Sequence, residues 1–394
     1  MMNQHWHSGT SVAQSACRDG GAGGVQPAAP LPLLRSAAEL SQAWVQRALC
    51  FYDNTLPPVS VMQQQRLAAG IDNATAGSST LLQLQFSGNA GQPMMMLLRI
   101  AEDQAQEGLA EGDWLHSERE LAAYQELHQH HSCRVPRVVF SIARDRLRNT
   151  FLQYDGGLPG SYVVAARNDL AQVRAVLREL AGLHGCFIGA SPAAAPEWLL
   201  RLRSVAEDAE TKYQRGLQVL LAPAARHWQQ DEIELLQQLQ PLVAAWHCYE
   251  RHTLTFSHGA ASVDSALLLQ QGDKFHAALI NWQRCGLRNP MYDVASLLLR
   301  SLEGSVRRRN ERLLLDEYRR LFEQAGRHYS LEELEQDYRF NLCGPLIDAV
   351  IAAGEGAGAP DDGALELIGR CLQAVSDWRS VALAAARLQQ ARPR

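Results

Sequence analysis

The apolar residues of this chain change their spacing once, near Gly156-Gly157, and that change limits the folds open to it. Ahead of it, TLLQLQFSG alternates apolar and polar residues as a half-buried strand does, and VSVMQQQRLAA, MMMLLRIA, VPRVVFSIARD and NTFLQYD are further strand candidates. Two runs there, SAAELSQAWVQRAL and WLHSERELAAYQELHQ, carry the three-and-four spacing of an amphipathic helix. Beyond the glycine pair the helical period dominates, in DLAQVRAVLRELAGLHGCF, APEWLLRLRSVAEDAETKYQRGLQVLL, DEIELLQQLQPLVAAWHCYERH and several segments from about Asp293 to Leu388. One stretch interrupts it. TLTFSHGAASVDSALLLQQGDKFHAALINWQRCG holds short apolar runs separated by Gln-Gly-Asp, the pattern of a β-hairpin.

These patterns predict an α+β fold in two lobes. Residues 1–35, rich in Gly, Ala, Pro and Ser, read as a flexible leader. Residues 36–157 form a lobe with a small β-sheet and one main helix, and residues 158–394 form a larger, mostly helical lobe that carries the hairpin. Hydrophobic residues at 46% and charged residues at 20% are globular values. The net charge of -5 gives no basic footprint, so neither nucleic acid nor a membrane surface is an expected partner. No apolar run reaches the roughly 18 residues of a membrane span and no signal core opens the chain, so a cytoplasmic protein is expected. The cysteines stand singly, without the close pairs of a zinc or redox motif. The basic residues are almost all arginine, and the lysines are Lys212 and Lys274 alone.

Several segments, in this order and at these separations, resemble the aminoglycoside phosphotransferase and choline/ecdysteroid kinase-like family, relatives of the protein kinases. They are RELAAYQEL, the LAGLH segment ending at His184, the His258-Gly259 pair, and ALINWQRCGLRNPMYDVASLLL. The resemblance covers about residues 36–350 and implies a protein-kinase-like fold. It implies that the loop from Asn73 through Gly77, Ser78 and Ser79 lies where nucleotide phosphates are covered. Backbone amides of small residues can cradle an anion there, or the segment is an ordinary hairpin turn. The resemblance also sets Glu120 opposite the strand position held by Arg99, in place of the usual lysine. That pair either contacts phosphate or braces the lobe; the planar guanidinium does not replace an ammonium conservatively.

The catalytic loop departs from the family pattern. Relatives read His-Gly-Asp, four residues, then Asn; this chain has His258-Gly259-Ala260 and then Ser265. The aspartate would orient and deprotonate the acceptor hydroxyl, and the asparagine would ligate magnesium. Where relatives have Ile-Asp-Trp, this chain has Ile280-Asn281-Trp282, with an uncharged amide at the second metal position. Trp282 and Asp293 match the family, and the resemblance gives Asp293 a structural part. His258 and Asp264 are the residues left that could stand in for the missing base. The expectation is a pseudokinase of the small-molecule phosphotransferase type that binds a small molecule or a partner protein. No cofactor is assigned: the resemblance leaves room for ATP or another nucleotide, and magnesium is not expected. The alternative is an enzyme with altered chemistry in the same cleft.

Overall fold

The computed structural model describes residues 31–52, 57–67, 78–86, 94–102, 116–130, 133–144, 147–154, 161–199, 202–222, 228–249, 253–355 and 359–391. They divide into two compact units.

The first unit is an antiparallel sheet with a helix on one face. β1 (Val59–Leu67), β2 (Ser78–Phe86), β3 (Met94–Glu102), β4 (Arg137–Arg144) and β5 (Leu147–Tyr154) lie in the order β1-β2-β3-β5-β4. Strand alternation turns Leu82 and Leu84 of β2 and Met96, Leu98 and Ile100 of β3 to a common face. There they meet Trp44, Val45, Ala48 and Leu49 of α1 (Gln42–Tyr52). Leu31 and Leu34, which the sequence reading grouped with the leader, are buried in the same core, and the Trp44 indole donates to the Pro32 carbonyl at 2.7 Å. The helix predicted from Ser36 is divided. Ala37–Glu39 form a 3-10 turn, Leu40 is extended, and the Ser41 hydroxyl accepts from the Trp44 amide, so the α-helix begins afresh behind a serine cap.

The second unit holds α2 (His116–His130) and everything from β6 (Ser161–Val163) onward. α3 (Leu170–Phe187) is capped by Asp169, whose carboxylate accepts from the Ala171 and Gln172 amides. α4 (Leu202–Leu220) starts later than its periodicity suggests. The predicted helix from Asp231 onward is broken by Pro241 into α5 (Gln230–Leu239), a 3-10 turn and α6 (Val243–His247), because proline supplies no amide to continue the ladder. The hairpin is present. β8 (Ala266–Gln271) and β9 (Lys274–Leu279) turn at Gly272-Asp273 and pair in the order β6-β8-β9, while β7 (Thr255–Ser257) pairs with β10 (Gly286–Arg288). The three-residue strands β6, β7 and β10 are too short to carry a period, which is why the sequence did not mark them as separate strands. α7 (Pro290–Ser301), α8 (Gly304–Gln324), α9 (Leu331–Asn341), α10 (Cys343–Glu355), α11 (Asp362–Asp377) and α12 (Ser380–Ala391) complete the unit. Among the described residues no helix is long and apolar enough to cross a membrane.

Candidate functional site

The loop between β7 and β8 is built around one buried carboxylate. Asp293, on the first turn of α7, is fully buried. Its Oδ2 accepts from the His258 amide at 2.6 Å and from His184 Nε2 at 3.0 Å, and its Oδ1 accepts from the Gly259 amide at 2.8 Å. Burial alone would raise this carboxyl, but the His184 hydrogen bond, the nearby imidazoles and the Gly259 amide outweigh it and hold the group below the ordinary carboxylate range. His184 is fixed from its other side by the Tyr318 hydroxyl, which donates to Nδ1 at 2.8 Å. The loop backbone is thus clamped to α7, and α7 to α3 and α8.

His258 is held just as firmly. The Ala260 amide donates to its Nδ1 at 3.3 Å, so Nδ1 is the unprotonated nitrogen, and Nε2 donates to the Ile280 carbonyl at 2.8 Å. The Trp282 ring packs beside the imidazole, 4.7 Å between centroids. Burial pushes the His258 imidazole down, with the Asp293 charge and the Ile280 bond only partly opposing, so the ring is neutral near pH 7. Gly259 has φ +84°, and a Cβ there would lie 1.9 Å from the Arg284 carbonyl oxygen, so only glycine fits between the loop and the turn below it.

The next positions differ in what they offer. Ala260 is partly exposed and carries a methyl group. Ser265 is buried, and its hydroxyl is committed within the loop: it donates to the Ser262 carbonyl at 2.8 Å and accepts from the Ser262 amide at 2.8 Å, while the Ser262 hydroxyl accepts the Ser265 amide. That reciprocal capping box closes a 3-10 turn, Val263–Ser265. Asp264, in the same turn, is half-buried and receives no hydrogen bond among the described residues. Its carboxyl is raised by burial, against the charges of Arg167 and Arg300. Asn281 follows β9 in the left-handed region, φ 68°, a conformation asparagine tolerates better than most residues. Its amide is half-exposed and makes no hydrogen bond among the described residues.

Glu120, on α2, accepts from Gln283 Nε2 at 3.0 Å and from the Tyr124 hydroxyl at 3.4 Å, and Arg119 returns a bond to the Gln283 carbonyl at 3.0 Å. Helix α2 is therefore pinned to the 3-10 turn Trp282–Arg284 that follows Asn281. Arg99 lies on β3 of the other unit, paired in register with Ser79 on one side and Thr150 on the other. Ser78 and Ser79 open strand β2, and Asn73 and Gly77 lie outside the described residues. Among the described residues no group of three His, Cys, Asp or Glu side chains is placed to hold a metal ion. The roles of His184, Tyr318 and Gln283 escaped the sequence reading. His184 had two signals, its place at the end of the LAGLH segment and a polar side chain on the buried face of α3 between Leu180 and Phe187, but neither named its partners.

A family model described as the phosphotransferase enzyme family matches residues 89–331, which include every residue of this loop and turn. The chain belongs to that family. Among solved structures, a microcompartment-associated aminopropanol kinase matches with a TM-score of 0.52 at 14% identity, covering 89% of this chain and 98% of its own. A choline/ethanolamine kinase family protein from Mesorhizobium loti matches with a TM-score of 0.49 at 12% identity, over 82% of this chain and 92% of that one. An ADP-bound aminoglycoside phosphotransferase matches with a TM-score of 0.47 at 13% identity, over 85% and 98%. The first of these likenesses establishes the kinase-like α+β fold. No curated protein matches the chain. In a member of this family, the clamp of Asp293 on His258-Gly259 is the fixed frame against which positions 260, 265 and 281 are compared.

Proposed function

We propose that this family member is a pseudokinase, which keeps the phosphotransferase scaffold and acts by binding a small molecule or a partner protein instead of transferring phosphate. The observation that carries the reading is Ala260: a methyl group stands at the general-base position of a loop whose support, from Asp293 to His184 and His258, is otherwise complete. A positioned base contributes roughly 10²- to 10⁴-fold in rate, and alanine has no proton acceptor to offer. His258 does not replace it, since its ring nitrogens are already bonded, Nδ1 to the Ala260 amide and Nε2 to the Ile280 carbonyl. The donors do not suit magnesium either. Ser265 turns its hydroxyl to Ser262, and Asn281 brings a neutral carbonyl where magnesium on substrate phosphates calls for one or two carboxylates. Nucleotide, if bound, is held without the metal.

The test is a turnover assay with Mg-ATP and hydroxyl-bearing amines of the kinds named for the structural relatives: aminopropanol, choline, ethanolamine and aminoglycosides. The expected rate lies at least about 10²-fold below the roughly 1 to 100 s⁻¹ of working kinases. A rate inside that range sinks the proposal. Thermal stabilisation by nucleotide should be the same with and without magnesium. One observation favours a second reading, altered chemistry in the same cleft: Asp264 is a half-buried carboxyl with no hydrogen-bond donor among the described residues and with its proton affinity raised. If Asp264→Asn abolishes the protein's cellular function while leaving its melting temperature and nucleotide binding intact, that reading replaces the first.

A further inference from the structure

Away from the loop just described, the second unit has a groove of about 490 Å³ between α3, the β8–β9 hairpin and the segment entering β4. Its walls are basic, in a chain whose net charge is -5. Arg174 and Arg178 stand one turn apart on α3, about 6 Å along its axis, and so share a face. Lys274 and His276 alternate along β9 and also share a face. Arg134 joins the two walls: its guanidinium donates to His276 Nδ1 at 3.2 Å and to Glu179 at 3.3 Å, and its carbonyl accepts from the Leu279 amide at 2.8 Å.

The charges do not cancel. Arg134 is paired with Glu179, and Arg174 with Glu317 at 2.9 Å. Arg178 and Lys274 have no acidic partner within ion-pair distance among the described residues, and Asp273 is the one carboxylate in the lining. Desolvation first, then the charges of Arg134, Arg178 and Lys274, hold the His276 imidazole below its ordinary value. Lys212, the chain's other lysine, lies 3.9 Å from Glu355 and is not left open in this way.

We propose that this groove binds a small phosphate-bearing anion, gripped by Arg178 and Lys274 and oriented by Arg134 and Arg174. A guanidinium fork matches two phosphate oxygens, and the lysine adds a point charge. The size argues for a small molecule: the volume falls within the roughly 300 to 1,000 Å³ of small-ligand sites, and the basic face of α3 runs only about 10 Å from Ala171 to Arg178. This site shares no residue with the loop 258–265 or the turn 281–284, so it stands whether or not the pseudokinase reading does.

Inorganic pyrophosphate is the probe, titrated calorimetrically into the full chain at 150 mM sodium chloride. Saturable binding is expected, weakened several-fold in Lys274→Gln and roughly tenfold or more in Arg178→Gln/Lys274→Gln, as loss of charge-assisted contacts requires. Lys274 is exposed at the first position of β9, so the single variant keeps its fold and carries the test if the double variant does not. The imidazole resonance of His276, identified by its loss in His276→Gln, should titrate at higher pH once the groove is filled by an anion. Absence of saturable binding, binding unchanged in Lys274→Gln, or an unmoved His276 overturns the proposal. So does binding of a hexaglutamate peptide in place of pyrophosphate, which would assign the groove to an acidic protein segment.

Discussion

At the scale of single residues, Asp293 carries more of the loop than any other side chain. Two backbone amides and His184 donate to it in a place water does not reach. Replacing it with alanine removes the acceptor and leaves these donors buried and unpaired, the situation in which losses are largest. Asp293→Ala is expected to lose about 3 to 5 kcal/mol in urea unfolding. Asp293→Asn should fall between it and the parent, since the amide keeps one acceptor but turns an NH₂ toward donors. A loss below about 1 kcal/mol in Asp293→Ala would mean that the loop is held by something else. Family membership brings the aspartate to notice, but its three donors become visible only when α3, α7 and the loop are assembled.

Helix α4 and helix α10 cross where one has Gly216 and the other Gly354. In an exposed helix, exchanging glycine for alanine gains about 0.8 to 1 kcal/mol from backbone entropy alone. Here the sign reverses. A Cβ on Gly216 would sit 1.8 Å from the Val350 carbonyl oxygen, and one on Gly354 would sit 2.6 Å from the Gly216 nitrogen. The two backbones touch, and no rotamer change relieves such a contact. Gly216→Ala is expected to destabilise the chain by roughly 1 to 3 kcal/mol, as overpacking does, measured as a shift of the denaturant midpoint without change in slope. A stabilised variant would mean that the helices can part at no cost. Period identified α4 and marked α10 only as part of the helical region beyond Asp293, and a glycine inside a helical pattern looks the same in sequence whether it faces solvent or another backbone.

The whole molecule should be sensitive to mild acid. Burial pushes the His247 imidazole down to about 4, with Asp348 opposing and Arg288 adding to the shift, and neither ring nitrogen has a hydrogen-bond partner among the described residues. His258 is lowered as well. Below the ordinary value near 6.5 the unfolded chain takes up protons that the folded chain refuses. The stability these two histidines contribute is therefore full above about pH 6.5 and falls as pH drops toward the folded values, by about 3 kcal/mol near pH 4 for His247 alone. Asp293 adds nothing to this window, since its carboxyl is depressed and its contribution is lost only below the ordinary range near 3.8. His247→Phe should flatten the profile of unfolding free energy between pH 6.5 and 4. An unchanged slope would show that His247 is hydrated and titrates normally.

By itself the sequence determined the class of fold and the family. Strand alternation, helical period and the hairpin turn at Gly272-Asp273 are local properties, and the motif residues from RELAAYQEL to the Asp293 region keep their order along the chain. It also fixed the chemistry available at Ala260, Ser265 and Asn281, because a methyl group, a hydroxyl and an amide cannot become carboxylates by folding. Only the tertiary structure decided what surrounds those groups. That Asp293 accepts from His184 and His258, that His258 Nε2 is bonded to Ile280, and that Arg134, Arg178 and Lys274 share one groove all depend on distances between residues far apart in the chain. Hydrogen bonds and charges act through space over a few ångströms, and separation along a sequence does not encode that distance.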